Sequence, residues 1–177
     1  MKNSKRFNWE IWIEDFKKCE KSFRFLLKKG AIKKETERNY LSKSHILKLN
    51  YNLEFLNYLI EERKFYDWAI VGCYYSIYPA SLAPLSRKGY SSKDPSGTLC
   101  SLIYLFYKRG LDIEDLELIS RSALEKQEIS YFVDAKQKRE IVSYGINGEH
   151  KRSEVLELKE KTMEFTNKVR EILQELK

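Results

Sequence analysis

The sequence predicts an all-α protein, a single up-and-down bundle of about five to seven helices, and three observations carry that expectation. Apolar residues recur at three- and four-residue spacing along most of the chain, only seven glycines and three prolines fall among 177 residues, and 33% of residues are charged against 42% hydrophobic. Sparse turn formers argue against a loop-rich β protein, and the apolar share argues against disorder. Folding a chain of this length removes roughly 70% of its unfolded surface from water, so one domain spanning residues 1–177 is expected.

The elements follow in order. Trp9, Ile11, Trp12, Phe16, Cys19, Phe23, Leu26 and Leu27 trace one helical stripe, and Lys28-Lys29-Gly30 supplies a basic last turn with a glycine stop. After a charged connector, Ser42 or Ser44 is placed to cap a second helix whose apolar set runs from Ile46 to Ile60. A third begins near Tyr66-Asp67 and carries Tyr74, Tyr75 and Tyr78. Pro79 and Pro84 fall inside it, each worth about 3 kcal/mol if uncompensated, so that helix is expected to kink near Tyr75 to Tyr78 or to end early. Lys88 to Gly97 reads as a loop rich in turn formers. Thr98 to Lys108 resumes the helical pattern and Gly110 stops it; helices over Ile113 to Gln127 and Asp134 to Tyr144 follow, then a long charged one from about Arg152 to Leu176.

No apolar run approaches the ~18 residues that span a bilayer, and the N-terminus is too charged and broken for a signal peptide, so a cytoplasmic protein without membrane contact is expected. Cys19, Cys73 and Cys100 are widely spaced and read as small buried hydrophobes. No phosphate-cradling glycine loop, metal-ligand spacing or nucleophile elbow is present, so no cofactor or metal is expected. The 33 Lys and Arg against 26 Asp and Glu leave a net charge of +7, concentrated at Lys28, Lys29, Lys33, Lys34 and Arg38. Such a cluster suits the backbone of RNA, and it serves solubility equally well.

Two blocks carry a family likeness. The first runs from Asp67 through Trp68 to Tyr74-Tyr75-Ser76-Ile77-Tyr78, then Lys88-Gly89-Tyr90 and Ser92-Lys93; the second runs from Tyr131 through Asp134 and Arg139 to Tyr144. From about Ser44 to Leu176 the chain resembles the HEPN domain family, with residues 1–41 outside the likeness. The resemblance implies a helical bundle, a homodimer, and partnership with a small nucleotidyltransferase in a prokaryotic toxin–antitoxin or defence system. Many family members are metal-independent ribonucleases with an arginine, four to six intervening residues and a histidine, joined across the dimer. Arginine grips the scissile phosphate, and histidine exchanges protons with the ribose hydroxyl near neutral pH.

In this chain Tyr144 stands where the first such histidine after Arg139 would be, and His150 lies eleven residues on. Pro79 and Pro95 occupy two further positions at which relatives carry histidine, while His45, at an expected helix start, reads as a surface or capping residue. The expectation is therefore a non-catalytic binding module for a nucleotide, RNA or the nucleotidyltransferase, with any RNA binding weak. Tyr74, Tyr75, Tyr78, Asp134 and Arg139 are the candidate ligand pocket, the hydroxyl of Tyr75 or Tyr78 facing Arg139 or Asp134. The same tyrosines read also as amphipathic core residues. The alternatives are a metal-independent endoribonuclease acting through Arg139 and Tyr144 at a dimer interface, and a purely structural interaction bundle.

Overall fold

Seven helices and two three-residue strands succeed one another over residues 8–62, 65–122 and 152–176, the residues described by the computed structural model. They are α1 (Glu10–Glu14), α2 (Phe16–Lys28), β1 (Ile32–Lys34), α3 (Arg38–Glu61), α4 (Tyr66–Arg87), β2 (Tyr90–Ser92), α5 (Pro95–Phe106), α6 (residues 113–122) and α7 (Arg152–Glu175). The all-α expectation holds, and no helix among these residues is long and apolar enough to cross a membrane.

Where the elements depart from the sequence reading, local chemistry gives the reason. The first stripe is two helices because Asp15 adopts extended backbone and its carboxylate caps α2, accepting from Lys18 N. α2 ends as expected: Gly30, at φ +76°, lets Ala31 N reach Leu26 O and Gly30 N reach Leu27 O, the paired bonds of a Schellman turn. α3 starts at Arg38 rather than at a serine cap; Ser42 is buried inside it, and Asn39 Oδ1 accepts from Arg87 Nη1. The expected loop contains β2 and the first turn of α5, where Asp94 accepts from Gly97 N at 2.8 Å and Pro95 takes the first helical position, where no N–H is needed.

α4 does not end early at its prolines: it runs on to Arg87 through both of them. A proline at 79 strips the Tyr75 carbonyl of its usual i+4 donor, and Asn52 Nδ2, reaching across from α3, donates to that carbonyl instead. The helix therefore continues with its backbone acceptor satisfied.

α3 and α4 form an antiparallel hairpin: a Cβ on Gly72 would touch Leu56, Asn52 meets Tyr75, and Asn39 meets Arg87. β1 and β2 close its open end, pairing antiparallel with Ile32 opposite Ser92 and Lys34 opposite Tyr90. α7 lies along α4 in the same direction, Cys73 facing Thr162 and Arg87 Nε donating to Leu176 O. α2 packs on α5, where Phe23 stacks on Tyr104 at 4.5 Å and meets Tyr90 edge-on at 5.3 Å. All three cysteines are buried free thiols; Cys19 and Cys100 lie with each Sγ against the other's carbonyl at 3.7 and 3.8 Å. One core joins these elements, with Leu49, Leu56, Ile77, Leu85, Leu102 and Phe165 fully enclosed.

Candidate functional site

The two-stranded sheet gathers the basic residues that the sequence singled out. Lys28 ends α2 and Lys29 follows it, Lys33 and Lys34 lie in β1, and Arg38 opens α3. Pairing with β2 adds two cations that sequence order had kept apart, Lys88 just before that strand and Lys93 just after it. Lys28, Lys29, Lys33, Lys34, Arg38, Lys88 and Lys93 are all exposed. Three carboxylates are interspersed, two of them engaged: Glu35 accepts from Ser91 Oγ, and Asp94 caps α5. The end of the bundle is thus strongly cationic, with a field that attracts polyanions.

The backbone of this clasp is held tightly. Ser92 Oγ, which donates within reach of Ala31 O at 2.9 Å and Asp94 O at 3.0 Å, also accepts from Asp94 N. A side chain on Gly97 would come within 2.5 Å of that hydroxyl, so the start of α5 needs glycine to sit against β2. Gly89 has φ +82°, and a Cβ there would stand 2.7 Å from Arg38 Nε; the bare backbone lets the guanidinium lie across the turn. Sequence reasoning missed the sheet because three-residue strands leave no readable alternation, although the Asp-Pro-Ser-Gly run at 94–97 is a helix-start signal.

Tyr74, Tyr75 and Tyr78 are half-buried on α4. Tyr74 and Tyr78, one turn apart, share a stripe, and the Tyr75 carbonyl accepts from Asn52 of α3. The Tyr78 phenol lies beside Thr98 and near Asp94, at the start of α5. Burial raises its pKa and the Asp94 charge adds to the effect, with the Thr98 hydroxyl opposing. Thr98 Oγ1 closes no well-formed hydrogen bond among the described residues, so the approach is a polar contact rather than a bond. Asp134, Arg139, Tyr144 and His150 lie outside the described residues, as does the expected pairing of tyrosine hydroxyls with Asp134 or Arg139.

His45 sits within α3 and is half-buried, a correction to its expected place at a helix start, and burial holds its imidazole below the ordinary pKa of 6.5. Elsewhere Asp112 and Asp115 cap α6 reciprocally, each accepting from the other's backbone N–H at 3.0 Å, and Lys168 on α7 donates to both. Burial raises the pKa of Asp115; at Asp112 burial pushes the same way, but the Lys168 ammonium and the Asp115 N–H outweigh it and the carboxyl stays below its ordinary range. That carboxylate pair is bound to a lysine and anchors α7 to α6. Among the described residues no three His, Cys, Asp or Glu side chains converge as metal ligands. No family model matches the chain, and neither the curated proteins nor the solved structures contain a match to it.

Proposed function

We propose that the chain is a HEPN-like helical binding module of a toxin–antitoxin or defence-type system, and that its cationic clasp binds a polyanion, RNA being the ligand that suits it best. One observation carries this reading: the sheet pairing sets Lys88 and Lys93 beside the cluster from Lys28 to Arg38, so cations from three segments of chain share one surface. A solubility charge has no need of such convergence. The nucleotide or nucleotidyltransferase partner and the homodimer come to this reading from the family likeness.

Phosphate contacts made without reading base edges carry no sequence information, so binding is weak and indifferent to sequence. Each phosphate neutralised on a single strand releases counterion, and log affinity falls against log salt with a slope of about −0.7 per contact. Titration of labelled single-stranded RNA across a salt series tests this. Neutral glutamine at Lys28, Lys29, Lys33, Lys34 and Arg38 flattens the slope; absence of binding even at low salt, or an unchanged slope, overturns the reading.

A further inference from the structure

α3 has two apolar faces. Leu49, Leu53, Leu56, Leu59 and Ile60 enter the core, whereas Tyr40, Leu47, Tyr51, Phe55 and Tyr58 line the opposite side and are each between 46% and 69% exposed. This second stripe runs about 27 Å along the helix at 1.5 Å per residue. Phe65 and Trp68 are exposed as well, where α3 hands over to α4. Scattered surface aromatics are ordinary, but a contiguous row of them marks an interaction site. At roughly 100 Å² still in water for each large side chain, the five on α3 present about 500 Å² per copy, so that a pair buries about 1,000 Å² in all, the size at which a specific interface begins.

The charges along α3 are sorted. Within the helix Arg38, Lys43 and Lys48 precede Tyr51, whereas Glu54 and Glu61 follow it, all five exposed, and both flanking residues, Glu37 and Glu62, are acidic. A helix macrodipole favours the reverse, acids at the N-terminus and bases at the C-terminus, so the isolated helix gains nothing from this order. Nor does α4 offset it, because Arg87 and Lys88 arrive at the end that is already basic. Neither Lys48 nor Glu54 belongs to an ion pair among the described residues; the Lys48 ammonium rests 5.3 Å from the Tyr51 ring.

We propose that this face of α3 docks on the same face of a second copy, the two helices antiparallel about a two-fold axis at Tyr51. Tyr51 then meets Tyr51, Leu47 meets the second copy's Phe55, and Lys48 meets its Glu54, each contact occurring twice as an isologous interface requires. A parallel arrangement sets lysine against lysine and glutamate against glutamate. Leu47 also borders an open groove of about 360 Å³ with Ile46, Leu173, Arg87, Ser42 and Lys43, which receives the second copy's Phe55 ring. The proposal gives the homodimer of the proposed function a surface and rests on the α3 face alone, so it stands whether or not the clasp binds RNA.

Light scattering on size-fractionated protein, with charge reversals at exposed positions, tests it. The native chain is expected to be a dimer. Lys48→Glu alone places glutamate against Glu54 twice, Glu54→Lys alone places lysine against Lys48 twice, and each is expected to weaken association at least tenfold. Mixing the two variants restores both opposite-charge pairs and forms a heterodimer, while the loss of the homodimer in each single reversal marks the antiparallel register, since a parallel pair sets like charges together before and after the change. A native chain that stays monomeric at high micromolar concentration, single reversals that leave the dimer intact, or a mixture that fails to associate each overturns the proposal. Circular dichroism of each variant identifies any loss of folding, in which case Tyr51→Glu, at the two-fold centre, replaces it with the same expected loss of the dimer.

Discussion

Burial at His45 has a consequence that can be measured in solution. Because the folded imidazole titrates below the ordinary value of 6.5 and the unfolded one near it, the unfolded chain binds the proton first as pH falls. Stability that is fully present above about pH 6.5 is therefore lost as pH drops through and below that value. Denaturant unfolding of the native chain and of His45→Gln over this range checks the sign: the variant is expected to lose much of the slope near pH 6, and identical slopes in the two proteins would assign the effect to other groups. Tyr78 shows how partial the sequence reading of the tyrosines was. The residues were legible as polar groups inside a helix, but the start of α5, which Tyr78 faces, depends on a tertiary contact of Thr98 and Asp94 that spacing along one helix does not encode.

At the scale of elements, Asn52 and Pro79 act as a pair. Asn52→Leu leaves the half-buried Tyr75 carbonyl without a donor and is expected to cost about 1–3 kcal/mol of folding free energy. In a chain that already carries Pro79→Ala the same change costs much less, because residue 79 regains the N–H that closes the helical bond to residue 75. Equal costs in the two backgrounds, measured by denaturant unfolding, would show that Asn52 does not compensate the proline. The helices that the sequence made legible, α2, α5 and α7, have one apolar stripe each or a clear stop, as at Gly30 and Gly110. α3 was harder, since its outward aromatics Tyr40, Tyr51 and Tyr58 oppose its core residues and blur the period. The break at Asp15 and the strands β1 and β2 depend on single capping groups and on pairing partners distant in sequence, neither of which leaves a periodic trace.

For the molecule as a whole, the position of the cations was legible only in part. The cluster from Lys28 to Arg38 is contiguous in the chain, whereas Lys88 and Lys93 join it through β2, a connection that folding alone makes. With no histidine after Arg139 at the family's spacing, the purified chain is expected to cleave single-stranded RNA little, with or without divalent cations. Robust cleavage that disappears in Arg139→Ala would replace the binding module with the endoribonuclease. The clasp also bears on how the chain folds. Paired positions progress steadily from Leu56 and Gly72 through Asn52 and Tyr75 and Asn39 and Arg87 to Lys34 and Tyr90 and then Ile32 and Ser92. Closing a loop of that length in one step costs more entropy than a short turn, by about 0.6 kcal/mol for each doubling of length. Zippering outward from the α3–α4 connection avoids most of that cost, since each new pair closes only a few residues beyond the last. The strands, remote in sequence, are then expected to be the last teeth of the zipper to engage, so that the cationic surface is assembled only at the end of folding.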